Sequence, residues 1–383
     1  MPRKPAAVPV TPEAIAVPPD FGMRVVRWQR THGRHDLPWQ NTRDPYRIWL
    51  SEIMLQQTQV AAVIEYFQRF VAALPTVAAL AAAPADQVMA LWAGLGYYSR
   101  ARNLHRCAKA VMDDHGGVFP TDPDVLVTLP GIGRSTAAAI AAFSAGVRSP
   151  ILDGNVKRVF ARVFGIHGYP GERAIETRMW TLAGQALPPA GPDQAEDMVA
   201  YTQGLMDLGA TICSRGKPAC LADAANCPLS ADCVARRDNL TAVLPTPKPR
   251  AAIPERSTVM LIARHGRDVL VRLRPGSGIW GGLWSLPEIA LDAVPFDAEA
   301  AEDAALEAVR PFGEPARAYL AGELTHVFTH FRLLIRAIRV DLTAAAPRLD
   351  ADSRWLSLDD LDALGTPAPV RRLLEDQARI GLF

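Results

Sequence analysis

Leu129-Pro130-Gly131-Ile132-Gly133-Arg134-Ser135-Thr136 is the stretch from which the fold can be read, and it runs directly into the Ala-rich segment Ala137 to Phe143. Gly131 and Gly133 let the backbone turn tightly and approach another surface closely. The helix that follows offers free N–H groups at its N-terminus, where an anion can sit. A helix-hairpin-helix grips a DNA phosphate in this way without reading base sequence. The same string also suits an ordinary helix–helix turn, and alone it does not decide between them.

On both sides of this hairpin the texture is helical. From Phe21 to about Asn239 apolar residues recur every three to four positions, with Gly or Pro between segments. Met1 to Asp20 is rich in Pro and Ala and lacks the apolar core of a signal peptide, so it reads as a disordered lead-in. Leu244-Pro245-Thr246-Pro247-Lys248-Pro249 alternates three prolines and reads as a stiff linker, within residues 240–255. After it the pattern changes. Ser257 to Ile262 and Asp268 to Leu273 look like strands around a turn at His265-Gly266-Arg267. Ala301 to Val309 reads as helix, and Phe331 to Leu342 as strand. Residues 21–239 are therefore expected to be all-α, and 256–383 a mixed α/β domain.

The 383 residues suffice for two or three domains, each with its own core. No apolar run reaches the length of a membrane span, and the lack of targeting signals points to the cytosol. The net charge of +1 does not announce a nucleic-acid binder. Residues 1–249 hold 25 Lys+Arg against 21 Asp+Glu, and residues 250–383 hold 16 against 19. A mildly basic first half fits DNA binding without establishing it.

Four of the five cysteines fall in one run, Cys213-x6-Cys220-x6-Cys227-x5-Cys233. In a cytosolic chain such a cluster reads as a metal site before a disulfide framework. Four thiolates suit a [4Fe–4S] cluster or a tetrahedral zinc, and spacing leaves the two about even. Cys107, far from the run, reads as a small core residue.

Two carboxylates stand out. If residues from about Tyr46 to Phe70 form one helix, Glu52 lies inside an apolar arc that includes Ile48, Trp49, Val60, Val63 and Phe67. An acid there is unusual unless it is paired or working. Desolvation would hold it protonated near neutral pH, as a general acid requires. A Glu paired with a buried Arg is the competing reading. Asp153 follows Pro150-Ile151-Leu152 and opens a helix from Val156 to Phe164, where an Asp is ordinarily a cap.

Longer strings join these pieces. They are Leu37-Pro38-Trp39-Gln40, Asp44-Pro45-Tyr46, Trp49 to Val60, Gly94-Leu95-Gly96-Tyr97-Tyr98-Ser99-Arg100, the hairpin, Leu152 to Val156, and Met206 to Ala210. Together they resemble the MutY-type adenine DNA glycosylases over nearly all of residues 21–383. The resemblance implies an α-helical helix-hairpin-helix glycosylase region with a [4Fe–4S] loop at 213–233, followed by a Nudix-like domain. It implies that Glu52 is the general acid and Asp153 the second catalytic carboxylate. It places Gln57, Leu95 and Tyr97 as wedges around an extruded base, and Gly131, Gly133, Ser135 and Gln203 among the substrate or DNA contacts. The implied partner is double-stranded DNA carrying adenine opposite 8-oxoguanine or guanine. The implied enzyme is a monomer associated with the nucleoid through DNA.

Ser135 discriminates within that setting. The related endonuclease III group carries at this position a lysine that forms a Schiff base and cleaves the strand. A serine hydroxyl cannot, so base removal with little or no lyase action is expected. Ser135 also suits a plain helix cap.

Trp280-Gly281-Gly282-Leu283-Trp284-Ser285-Leu286-Pro287 resembles the Nudix-like domain of the same family. The Glu-rich metal-binding helix of a working Nudix hydrolase is missing, since the nearest helix reads Ala301-Glu302-Asp303-Ala304-Ala305-Leu306-Glu307. The domain is therefore expected to bind and not to hydrolyse nucleotides. Phe328-Thr329-His330 matches the family's Phe-Ser-His loop that inspects 8-oxoguanine, with Thr in place of Ser. Between the second and third cysteines the family usually has two residues; here Leu221 to Asn226 intervene and are expected to loop outward.

Overall fold

The computed structural model describes residues 15–249, 253–289, 296–346 and 348–380. Most of the expected lead-in, positions 1–14, lies outside the described residues, as do 250–252 of the expected linker.

The helices of the first half are α1 (Phe21–His32), α2 (Pro45–Leu55), α3 (Val60–Ala73), α4 (Val77–Ala82), α5 (Ala85–Trp92) and α6 (Ser99–His115). They continue with α7 (Pro123–Leu126), α8 (Arg134–Ala145), α9 (Gly154–Val163), α10 (Arg173–Gln185), α11 (Gln194–Asp207) and α12 (Val234–Arg237). Local chemistry sets many ends. Thr76 accepts the Ala79 N–H at the start of α4, and Asp153 accepts the Val156 N–H at the start of α9. Gly116 and Gly146 close α6 and α8 in the left-handed conformation.

The second half contains β1 (Glu255–His265), β2 (Asp268–Leu273), β3 (Trp284–Ser285), β4 (Glu288–Ile289), α13 (Ala298–Val309), β5 (Gly313–Val327), β6 (Arg332–Ala345), β7 (Ser353–Ser357) and α14 (Ala368–Arg379). The sheet order is β3-β2-β1-β6-β5, with β4 beside β1 and β7 beside β2. β1 and β6 run parallel and the other pairs antiparallel, so the sheet is mixed. Ala301, Ala305 and Val309 of α13 pack on Leu261, Ile338 and Val340. The fold is thus an all-α helix-hairpin-helix region followed by a mixed α/β Nudix-like domain, as the sequence implies.

By packing, the chain divides into two compact units that do not follow chain order. One joins Met1–Ile53 to Val118–Pro249, and the other joins Met54–Gly117 to Arg250–Phe383. In the first, α1 lies against α11 so closely that a Cβ at Gly204 would meet the Val25 Cγ1 at 2.8 Å. Phe21 stacks on Phe164 at 5.6 Å and meets Phe160 edge-on at 6.0 Å. In the second, α5 and α6 carry the sheet. Asp86 accepts the Trp284 indole N–H at 3.2 Å and pairs with Arg354 at 3.4 Å. Arg102 donates to the Gly281 carbonyl, and a Cβ at Gly365 would strike the Met89 backbone at 2.9 Å.

Two departures from the sequence reading matter. The single helix expected from Tyr46 to Phe70 is two helices, broken at residues 56–59, with Gln57 left-handed at φ 60°. Val60, Val63 and Phe67 therefore do not share a helical face with Glu52. No Gly or Pro marks the break, which is why periodicity ran through it. The strand β5 was not read, because Gly313, Pro315 and Gly322 interrupt its pattern; its pairing with β6 shifts register near Pro315 and again between Leu320 and Gly322. Among the described residues no helix is long and apolar enough to cross a membrane.

Candidate active site

Helix α2 begins with Pro45 in its first turn, and the Asp44 carboxylate accepts the Tyr46 N–H at 3.0 Å. Ile48, Trp49, Leu50, Ile53 and Met54 are buried, so the helix is enclosed almost all round. Trp49 packs on Phe119 with ring centres 5.0 Å apart. Glu52 is half-buried within this apolar setting. Burial pushes its carboxyl up to about 8, and the charge of Asp153 adds to the shift. Among the described residues no Arg or Lys forms a salt bridge with it, which removes the reading of Glu52 as half of a buried ion pair.

Asp153 sits at the other wall. Ile151 and Leu152 are buried and anchor the turn, and Asp153 caps α9 by accepting the Val156 N–H at 2.8 Å. Burial raises its pKa, while the Val156 and Asn155 N–H groups and the cations Arg158 and Lys157 pull it back. Glu52 has no such groups opposing its rise. The cap reading of Asp153 is the one the structure shows.

Ser135 is the second residue of α8, whose cap position is Gly133. Its hydroxyl accepts the Leu152 N–H at 2.9 Å. It therefore ties the hairpin helix to the turn carrying Asp153, and does not cap its own helix. Gly131 takes φ 81°, which an L side chain rarely adopts, and Gly131, Gly133 and Arg134 are exposed at the start of α8. Ala137 to Ala142 bury the rest of that helix.

Gln203 is buried, and its amide donates to the Asp207 carboxylate at 2.8 Å. Asp207 also accepts from the Arg34 backbone N–H and guanidinium at 2.9 and 2.8 Å. This Arg34–Asp207–Gln203 network was not legible in the sequence, since its members lie far apart and show no shared spacing.

Gln57, Leu95 and Tyr97 lie on two loops. Gln57 and Tyr97 are exposed and left-handed, at φ 60° and 48°, while Leu95 is buried.

Phe328-Thr329-His330 forms the turn between β5 and β6, closed by the Phe328 N–H donating to the Phe331 carbonyl at 2.9 Å. Thr329 and His330 are exposed. Phe328 stacks on Phe331 at 4.5 Å and packs against Trp280 at 5.4 Å and His326 at 4.6 Å. His326 escaped the sequence reading; only the alternation toward Phe328 could have marked it.

Cys213, Cys220, Cys227 and Cys233 line one cavity with Arg162 and Leu229, and all are free thiols. Arg162 donates to the Cys213 Sγ at 3.3 Å. Burial pushes Cys227 up to about 12 and raises Cys220 and Cys233, and each is raised further by neighbouring cysteines. Yet no three His, Cys, Asp or Glu among the described residues converge tightly enough to hold a single metal ion. Four thiols around a shared cavity form an all-sulfur donor set, of the kind an iron–sulfur cluster or a zinc takes. Residues 221–226 form short, mostly exposed turns, with Asp223 accepting the Ala225 N–H at 2.9 Å.

Comparison with known proteins extends these findings. Residues 50–185 match the HhH-GPD superfamily base excision DNA repair protein model, and residues 258–376 match the NUDIX domain model. The chain is 32% identical over 358 residues to the adenine DNA glycosylase of Buchnera aphidicola subsp. Acyrthosiphon pisum (strain APS), covering 93% of this chain and 97% of that protein. It is 30% identical over 399 residues to the adenine DNA glycosylase of Homo sapiens, covering 89% and 71%. A solved thermostable thymine-DNA glycosylase is 29% identical with a TM-score of 0.49, covering 57% of this chain and 95% of that one.

Proposed function

The chain belongs to the adenine DNA glycosylase family of base-excision-repair enzymes, and from that premise we propose that it removes adenine mispaired with 8-oxoguanine or guanine, leaving an abasic site. The observation that carries the chemistry is a pair of interacting carboxylates in different settings, Glu52 in an apolar one and Asp153 among N–H donors and cations. Burial and the charge of Asp153 keep Glu52 protonated to about pH 8. Burial raises the Asp153 pKa too, and the Val156 and Asn155 N–H groups with Arg158 and Lys157 oppose that rise. One acid and one anion at one site is the requirement for breaking a glycosidic bond.

Adenine leaves poorly as an anion. Once the base is out of the stack, Glu52 donates its proton to ring nitrogen N7. The N-glycosidic bond breaks and its electron pair goes to the base. The sugar gains oxocarbenium character, which the Asp153 carboxylate stabilises. Water adds at C1′, loses a proton, and completes the abasic product. Ser135 offers no amine for a Schiff base, so strand cleavage is not part of the reaction.

Cys213, Cys220, Cys227 and Cys233 hold a [4Fe–4S] cluster in this reading. Such a cluster supplies folding energy and a fixed loop shape, and no step above passes through it. Residues 21–239 form the glycosylase region, 240–255 the linker and 256–383 the lesion-reading domain. There Phe328, Thr329 and His330 face 8-oxoguanine. Gln57, Leu95 and Tyr97 enter the duplex; Gly131, Gly133 and Ser135 meet its backbone; Gln203 borders the base pocket. The enzyme acts as a monomer on cytoplasmic, nucleoid DNA.

The test is a nicking assay on a duplex with adenine opposite 8-oxoguanine. Free adenine should appear, with strand breaks only after alkali. Breaks without alkali, together with a borohydride-trapped enzyme–DNA adduct, would overturn the glycosylase-only reading. Absence of adenine release would overturn the substrate.

A further inference from the structure

Arg100 is a buried cation in α6, and its guanidinium fastens two separate loops. Nη1 donates to the carbonyls of Met54 at 2.8 Å and Gln56 at 2.6 Å. Nη2 donates to the Thr58 hydroxyl at 3.1 Å and to the carbonyls of Leu95 at 3.2 Å and Gly96 at 3.3 Å. The guanidinium also lies over the rings of Trp92 and Tyr97, at 5.3 and 5.5 Å. Burial draws its pKa down to about 10, so it stays charged at neutral pH.

The two loops share an uncommon property. Gln57 at the centre of one and Tyr97 at the end of the other are non-glycine residues held in the left-handed region, at φ 60° and 48°. Such a backbone persists only where its surroundings over-determine it. Both side chains are exposed, Tyr97 at 46%. Neither is strained to improve the core. Arg100 also sits at the break between α2 and α3. In a continuous helix the Met54 and Gln56 carbonyls would accept from the N–H groups four residues on; here a fixed planar fork takes both.

We propose that Arg100 is a positioning residue that holds Gln57 and Tyr97 in the shape needed to displace the target base from the duplex. The inference rests on the reading that these loops enter DNA. A preformed loop need not be ordered at the moment of base extrusion, so its benefit falls on the step after binding.

The test compares wild type, Arg100→Met, Arg100→Lys and Thr58→Val. The duplex carries 2-aminopurine beside the target adenine, whose fluorescence rises on unstacking. Arg100→Met should slow single-turnover adenine release about ten- to a hundredfold and suppress the fluorescence rise. Its affinity for undamaged duplex should stay within about twofold. Arg100→Lys keeps the charge without the fork and should recover only part of the rate. Thr58→Val deletes one contact with little risk to folding and should cost about threefold. Hydrogen exchange at residues 56–58 and 95–97 should quicken in each variant without DNA. Wild-type fluorescence and release in variants with loosened loops would overturn the proposal, and so would unchanged loop exchange. If wild type itself released no adenine, the substrate reading would fall, while loop exchange would still decide the role of Arg100.

Discussion

Replacing Glu52 by Gln should cost activity and gain stability, with both effects set by one proton. The folded-state pKa of Glu52 is about 8 against an ordinary value of 4.5. Below pH 4.5 folded and unfolded chains both carry the proton, and Glu52 costs nothing. As pH rises from 4.5 toward 8 the unfolded chain ionises and the folded one does not, so stability is progressively lost. Above 8 the loss is complete. The shift of about 3.5 units corresponds to a ceiling of roughly 5 kcal/mol. Glu52 is only half-buried, and solvent screening brings this to about 2 kcal/mol. Glu52→Gln has no proton to lose. Its melting temperature relative to wild type should climb between pH 4.5 and 8 and then level off, by a few degrees in all. Adenine release should fall about 10²- to 10⁴-fold. In wild type, release should hold to about pH 8 and then drop about tenfold per unit. The acid limb should lie lower, where Asp153 takes up its proton. Melting curves and single-turnover assays across pH 4–10 check all of this. A stability difference that does not vary with pH, or a Glu52→Gln enzyme of normal rate, would refute the reasoning.

Asp153 can be divided into its two roles. Asn also caps helices, so Asp153→Asn should keep the wild-type melting temperature yet lose adenine release, whereas Asp153→Ala should lose both, with a stability cost of about 1 kcal/mol; equal melting temperatures for the two would remove the cap from the account. Ser135→Ala leaves the Leu152 N–H without its acceptor and should cost about 1 kcal/mol in thermal stability, with base removal retained. Borohydride should trap no adduct with wild type or this variant, and an adduct would contradict the assigned role of Ser135. Cys220→Ser should lower both iron and acid-labile sulfide by more than about half, measured on purified protein; undiminished content would rule Cys220 out as a ligand.

Much of this protein is decided locally. Asp153 begins a helix through a bond to its own neighbourhood, so the sequence announces it, and Thr76, Gly116 and Gly146 act over the same short range. The alternating prolines after Leu244 and the apolar strand at Val259 are likewise legible, because ring geometry and pleat need only adjacent residues. The cysteine run is legible as four thiols, and the packing of its turns against α9 brings them around one cavity.

What the sequence could not settle involves residues brought together from far apart. Nothing near Gln57 forbids helix; Arg100, on another helix, takes the carbonyls that would have continued it. Glu52 was suspected from an apolar arc, and most of that arc belongs to a different helix, yet its proton is held all the same. The cause is burial and Asp153, a partner no local pattern could name. Ser135 looked like a cap and instead fastens the turn before Asp153. Propensity and capping act over a few residues, so the chain alone wrote most of its helices and strands. Desolvation, charge and side-chain bridging act through space, so only the tertiary structure could decide which carboxylate keeps its proton and which loops are held strained.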